Sequence, residues 1–380
     1  MSTSVVAELT AGFEQPFGEL GRDALRDGRA VVVSWPSVPV ELIRAAGLRP
    51  VLARGSETPT PAADAVLEAN LFPSRLRQLV EAALTGRLAN TAAIVLPRTS
   101  DPDYKCFLYL REFVRRGMVA MLPPVLLFDL LHSEGSAVPA YDLARTRELG
   151  DRLSAISGQK LAADALRHAI VRSDAARAAA RRLDALRRRE PRVHGAEALP
   201  LLGAFWQMDP ERYVALATAA ADALATRSPL EGPRVLLAGA PVDSIGLHQV
   251  IESHGATVVA ELSPYGSACA GEDIGAGLDP IAALADKYRR DSIDARTPVA
   301  VLEHWIENSL AGIDAVAVSL PPDDACFGWD YPLLRETLEQ KGIAHVVVHA
   351  DPAEAANAGD HGRVETLVAG ARRSKAARYG

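Results

Sequence analysis

Three thiols, Cys106, Cys269 and Cys326, are the side chains in this 380-residue chain best suited to holding a metal or attacking an electrophile. Cys326 lies in "LPPDDACFGWDYPLL", between the apolar run "GIDAVAVSL" and the helically spaced "YPLLRETLEQKG". A lone thiol at the exit of a buried strand serves as a metal or cluster ligand, a nucleophile, or a small apolar filler. No histidine is spaced to activate it, which weakens the nucleophile. Cys106 falls inside the helix after "PRTSD", and Cys269 follows Gly266-Ser267. All three stand near strand ends, so a three-thiolate site and ordinary apolar packing both stay open. The nine histidines form no HExxH pattern and give no support to a zinc hydrolase.

Other chemistry-bearing residues gather at loops. Ser34, Trp35 and Glu41 follow the first apolar run, where Glu41 either meets a substrate or stabilises a helix N-terminus through its dipole. Asp101 precedes Pro102 and a helix; it reads as an N-cap, with substrate hydrogen bonding as the second role. Asp330, before Tyr331 and Pro332, reads as a cap in the same way. Tyr265, Gly266 and Ser267, with Gly271, Gly275 and Gly277 beyond them, form a glycine-bearing stretch. Glycines let backbone approach a phosphate closely, so this is either a phosphate loop or a surface loop.

The elements that must position these residues are short β-branched runs separated by helical patterns. "RAVVVSWPSVP", "PVLARG", "TAAIVLPR" and "VAMLPPVLLFDLL" read as four strands, the last leaving through its prolines. "PRVLLAGAPV", "ATVVAELS", "IDAVAVSL" and "IAHVVVHAD" read as four more. Strands separated by 10–15-residue helical patterns indicate parallel sheets with crossover helices. Between them the pattern is helical. We read an N-terminal Rossmann-like domain over 1–141, a helical linking segment over 142–230 and a C-terminal Rossmann-like domain over 231–380. Arg167 to Arg189 holds eight arginines, which reads as a solvated helix face or subunit contact. Open parallel sheets bind ligands beyond the carboxyl ends of their strands, so the exits should line one cleft between the domains. "GPRVLLAGAPVDS" is neither a P-loop nor G-x-G-x-x-G.

A net charge of −7 argues against nucleic acid or an anionic membrane surface as the main partner. The longest apolar stretches are broken by Pro and Asp and fall short of the ~20 residues of a membrane helix. An odd, widely spaced cysteine set gives no disulfide framework and suits a reducing cytoplasm.

Five stretches, in order, resemble the 2-hydroxyacyl-CoA dehydratase and benzoyl-CoA reductase subunit family. They are "SWPSVPVELIRAAGLRPV", "EANLFPSRLR", "IVLPRTSDPDYKCFLYLREF", "RVLLAGAPVDSIGLHQVIESHGATVVAELS" and "FGWDYPLLRETLEQKGI". The resemblance implies an acyl-CoA substrate, a homologous partner subunit and an ATP-hydrolysing iron–sulfur activator. It places Ser34 and Glu41 near the thioester end of the substrate, and Tyr265, Gly266, Ser267 and Trp329 near CoA. Catalytic subunits of that family hold a [4Fe–4S] cluster through three cysteines. Phe72, Ser100 and Asp324 occupy those positions here, with Cys326 two residues on. The resemblance therefore implies a cluster absent from this chain and sited in the partner. Two rivals stay open: a cluster held by Cys106, Cys269 and Cys326, and a subunit that only binds or braces.

Overall fold

The computed structural model describes residues 2–13, 25, 27–68, 71–133, 135–269, 271–275, 277–291, 294–322, 324, 326–349 and 358–379. Its frame is two parallel sheets. The first holds β1 (Ala30–Val33), β2 (Arg49–Leu52), β3 (Ala93–Pro97) and β4 (Val125–Phe128) in the order β2-β1-β3-β4. The second holds β5 (Arg234–Gly239), β6 (Thr257–Glu261), β7 (Ala315–Ser319) and β8 (Ala344–Val348) in the order β6-β5-β7-β8. The two orders are the same, and every pairing is parallel. The expected two Rossmann-like parallel-sheet domains are therefore the architecture found.

Because strand side chains alternate faces, a run such as "AVVV" must bury both sides. Val31 and Val33 enter one core and Val32 another. Val235 and Leu237 likewise part from Leu236 and Ala238. One expectation changes. Pro123 and Pro124 precede β4, and the Pro124 carbonyl accepts the Ile94 N–H at 2.9 Å. Proline has no N–H for a ladder, so it opens this edge strand instead of closing it.

In the first half the helices are α1 (Ser2–Phe13), α2 (Val40–Ala45), α3 (Pro61–Asp64), α4 (Ser74–Leu84) and α5 (Asp101–Arg115). Then come α6 (Val138–Ser157), α7 (Ala163–Arg188), α8 (Gly195–Gly203) and α9 (Pro210–Leu224). The second sheet carries α10 (Gly246–Ser253), α11 (Pro280–Arg290), α12 (Val299–Ser309), α13 (Phe327–Gln340) and α14 (Ala358–Tyr379). Among the described residues no helix is long and apolar enough to cross a membrane.

Helices α6 to α9 weld the two sheets together. One core runs from Leu9 and Phe13 of α1, through Val31 and Val33, past Phe205 and Tyr213, to Tyr265 and Tyr288. The arginines of α7 are not one solvated face. Arg177 and Arg187 have side chains only 2% and 0% exposed. Arg177 donates to Glu41 at 2.9 Å, while Arg187 forks onto Glu261 at 2.5 and 2.6 Å. Ten residues apart, they are separated by ~15 Å along the helix. One α7 thus grips both domains through two buried ion pairs.

Candidate functional site at the facing strand exits

The first-domain exits close around a carboxylate. Asp103, in the first turn of α5, is fully buried. Arg75 of α4 forks onto it with two bonds of 2.8 Å. Ser34 donates to the same carboxylate at 3.0 Å, Thr99 at 3.2 Å and Ser100 at 2.6 Å. The Arg75 guanidinium also reaches the Ser34 carbonyl at 3.1 Å and lies 4.6 Å from the Trp35 ring centre. A buried charge is tolerable only with this degree of pairing.

Asp103 was not singled out from sequence. The readable signal was Ser100-Asp101-Pro102-Asp103, an S-x-x-acid capping pattern. Ser100 is the N-cap, accepting the Asp103 N–H at 3.2 Å. That corrects the reading of Asp101 as the cap: it is the exposed first helical residue. Asp101 contributes negative charge to the helix N-terminus instead.

Glu41 is fully buried in the first turn of α2. It takes Arg177 on one oxygen and the Tyr288 hydroxyl, at 2.8 Å, on the other. Burial pushes its carboxyl up, but Arg177, Arg44 and the Tyr288 hydrogen bond outweigh that and hold it below the usual range. Glu41 is therefore a strut between α2, α7 and α11.

The two domains meet across these exits. Arg54, after β2, donates to the Asp243 carbonyl, and Gly55 N–H donates to the Asp243 carboxylate at 3.0 Å. Tyr265, after β6, packs edge-on to Trp35 at 5.9 Å and Phe13 at 6.4 Å. Its hydroxyl is buried and has no hydrogen-bond partner among the described residues. Burial and the neighbouring Asp243 push that phenol up, against Arg75 and Arg54. Beside it the gap left between domains is about 40 Å³, lined by Trp35, Ser37, Arg177, Trp206, Cys269 and Tyr288. The exits face one another as expected, but as a packed junction.

The glycine-bearing stretch also packs inward. A Cβ on Gly266 would sit 1.6 Å from the Glu261 carboxylate, so the backbone approaches a side chain there. The Ser267 N–H donates to Glu261 at 2.7 Å, and the Ser267 hydroxyl sits between Arg187 and Asp184. His248 completes the cluster, 3.3 Å from Glu261. Burial raises the Glu261 carboxyl; Arg187 and His248 more than reverse this and hold it far below the usual range. The N–H groups of Gly266 and Ser267 are thus spent inside the protein.

Space opens in the second domain. A cavity of about 370 Å³ lies between α12 and α13 at the ends of β5 and β7. Leu262, Leu302, Val318 and Phe327 line it, with Glu303 and Asp330 among its polar groups. Trp329, on α13 beside these residues, is 85% exposed. Asp330 is not the cap of α13. The Asp324 carboxylate accepts the N–H groups of Phe327 at 3.1 Å and Gly328 at 2.7 Å, with Cys326 at the N-cap position. Burial pushes the half-buried Cys326 thiol up, and the carboxylates of Asp324, Asp101, Asp330 and Asp294 push the same way. Four like charges oppose the thiolate that a metal ligand or nucleophile needs.

The three cysteines are not brought together. Cys106 belongs to the core holding Ile94 and Leu110. Cys269 lies in the inter-domain core, 3.7 Å from the Leu202 carbonyl. Burial pushes both thiols well up. Among the described residues no three His, Cys, Asp or Glu side chains are placed to hold a metal ion. The positions that resemble family cluster ligands carry other work. Phe72 is buried edge-on to Tyr109 at 5.5 Å, while Ser100 and Asp324 cap helices. Asn70, quoted in the same motif, lies outside the described residues. These donors do not fit a thiolate-held cluster.

Two parallel α/β domains facing through their strand exits, braced by a helical layer, define the class. The family model for the 2-hydroxyglutaryl-CoA dehydratase D-component matches residues 37–369, so the chain belongs to that family. No curated protein matches it.

Proposed function

We propose that this chain is the cluster-free subunit of a 2-hydroxyacyl-CoA dehydratase-like enzyme, supplying acyl-CoA contacts and the interface to a homologous subunit that carries the redox centre. The observation that carries the reading is the use made of Phe72, Ser100 and Asp324: one fills a core and two cap helices. Family membership supports a multi-subunit enzyme. An ATP-dependent iron–sulfur activator would serve the partner. The cavity between α12 and α13 would take the acyl end, because Leu262, Leu302, Ile306, Val318, Phe327 and Leu334 give it an apolar wall beside polar groups that could orient a ligand. The carboxylates of Glu303 and Asp330 there disfavour the phosphates of CoA, which would lie outside it. Within this reading Ser34 positions Arg75 and Asp103, Asp101 faces Cys326, and Trp329 forms an apolar rim.

The test is anaerobic co-purification with a co-expressed homologous subunit, followed by iron and acid-labile sulfide analysis and titration with acyl-CoA. The expected result is iron in the partner only, no iron in this chain purified alone, and saturable acyl-CoA binding by the pair. About four irons in this chain alone, or a pair that binds no CoA thioester at millimolar concentration, overturns the reading.

A further inference from the structure

A second cavity, of about 420 Å³, opens at the opposite, amino ends of β1 and β2, against α7. Its walls carry four guanidinium groups, from Arg29, Arg44, Arg49 and Arg172, against the carboxylates of Asp27 and Asp209. In a chain of net charge −7 this concentration of positive charge runs against the average. Two of the arginines are held by acids. Arg49 pairs with Asp27, and Arg172 with Asp209 at 2.9 Å and Glu211 at 2.9 Å.

The other two have no carboxylate bound among the described residues. Arg29 donates to the Gly47 carbonyl, at 3.1 Å from its Nε. Arg44 has one bond, a long 3.5 Å contact to the Ser173 hydroxyl. Glu41, the acid nearest Arg44 in sequence, spends its hydrogen bonds on Arg177 and Tyr288 and acts on Arg44 through its charge alone. Burial pulls the half-buried Arg44 guanidinium down from its ordinary range, and the charges of Glu41, Tyr288 and Asp209 offset only part of that. Leu48, Pro50 and Met208 give the cavity an apolar side.

We infer that this cavity is a binding site for a pyrophosphate-bearing anion of nucleotide size, held by Arg44 and Arg29 with Arg172 as a third fork. Planar guanidinium groups match phosphate oxygens two at a time, and a pyrophosphate has oxygens enough to take more than one such fork. The volume exceeds what a lone phosphate fills and lies within the range of small-molecule pockets. Two sources share this chemistry: a free nucleotide, and the phosphoadenosine diphosphate arm of CoA. The site goes beyond the acyl-CoA reading, because it lies at the other end of the first sheet from the strand exits.

Calorimetric titration of the full chain, without partner or iron, tests it with three probes: inorganic pyrophosphate, ADP and CoA. Saturable binding is expected, weakened about tenfold or more by Arg44→Gln and by Arg29→Gln, as expected for loss of one charge-assisted fork. Arg116→Gln, an exposed arginine outside the cavity, should leave affinity unchanged. Asp209→Asn provides a gain-of-affinity arm. Asn caps a helix as well as Asp does, so α9 keeps its N-cap while Arg172 loses a competing charge, and binding should tighten several-fold. ADP matching CoA assigns a nucleotide; CoA binding more tightly than ADP assigns the CoA arm. No saturable binding of any probe at millimolar concentration, or binding indifferent to both the Arg44 and Asp209 variants, overturns the inference. Repeating the acyl-CoA titration of the pair with Arg44→Gln tells binding at this cavity from binding between α12 and α13, and neither result bears on iron content or partner binding, so the two readings fail separately.

Discussion

The two domains share one strand order and finish it differently. At the first sheet Asp103 is closed over by residues of its own domain: Arg75, Ser34, Thr99 and Ser100. At the second, Glu261 is held by Arg187, which belongs to the helical layer outside the domain. The first end is sealed. At the second the exit carboxylate Glu261 takes its guanidinium from α7, as Glu41 does in the first domain, and a cavity of about 370 Å³ lies between α12 and α13. A common topology therefore fixes where the exits lie, while the side chains each exit meets differ between the two.

If the second end is braced from outside, cutting the brace should do the most damage. Arg187→Met strands a fully buried Glu261 beside His248, and breaking such a pair costs about 3–5 kcal/mol. Urea denaturation should show that loss, and a change under about 1 kcal/mol would remove the contrast between the two ends. Within the sealed end, Asp103→Asn keeps the shape but leaves Arg75 facing a neutral amide. The expected cost is about 1–3 kcal/mol, read from the same denaturation experiment. A loss as large as that of Arg187→Met would mean that the first end is no better buffered than the second.

Acid should separate the two braces next. Glu261 and Glu41 have folded-state pKa values held below the ordinary carboxylate range, so the unfolded chain binds their protons first. Their contribution is present above the unfolded value of about 4.3 and is lost as pH falls below it toward the folded values. Stability of the wild type should therefore fall with decreasing pH in that window. Arg187→Met should show a shallower fall, measured as ΔG of unfolding between pH 6 and pH 3. An equal slope in both proteins would show that Glu261 does not contribute.

Filling the open end is the fourth probe. Thr337→Phe on α13 points new volume at the cavity and, in an Arg44→Gln background, should abolish acyl-CoA binding by the two-subunit complex, with stability changed by about 1 kcal/mol or less. Retained affinity would place the acyl end elsewhere. The smallest effect is expected at Cys326→Ser, within about 0.5 kcal/mol of wild type and with iron content of the complex unchanged. Loss of iron from that variant would make Cys326 a ligand after all.

Much of the frame was legible because strand period and helix period are local properties. All eight strands follow apolar runs; inner ones such as "AVVV" and "AVAVS" bury both faces, while β4 and β8 at the sheet edges are half-buried. The candidate site was less legible. Ser34 and Glu41 were picked out by position, yet the partners that define them, Asp103 and Arg177, sit 69 and 136 residues away. The eight arginines of 167–189 read as one basic stretch, since sequence alone does not say which faces of a helix a second domain will cover. The caps moved by one to six residues, from Asp101 to Ser100 and from Asp330 to Asp324, because Asp and Ser compete for capping and only backbone geometry decides.

The sequence by itself determined the parallel α/β class and, through the family resemblance, that Phe72, Ser100 and Asp324 stand where catalytic relatives carry cysteine. The first follows from periodicity and the second from motif order, and neither needs contacts. Only the tertiary structure decided that Cys106, Cys269 and Cys326 stand in separate surroundings, that Gly266 packs on Glu261, and that four arginines from distant segments share one cavity. Each of these depends on desolvation and pairing between groups far apart in the chain, and the free energy of a buried charge is set by neighbours that the local sequence does not contain.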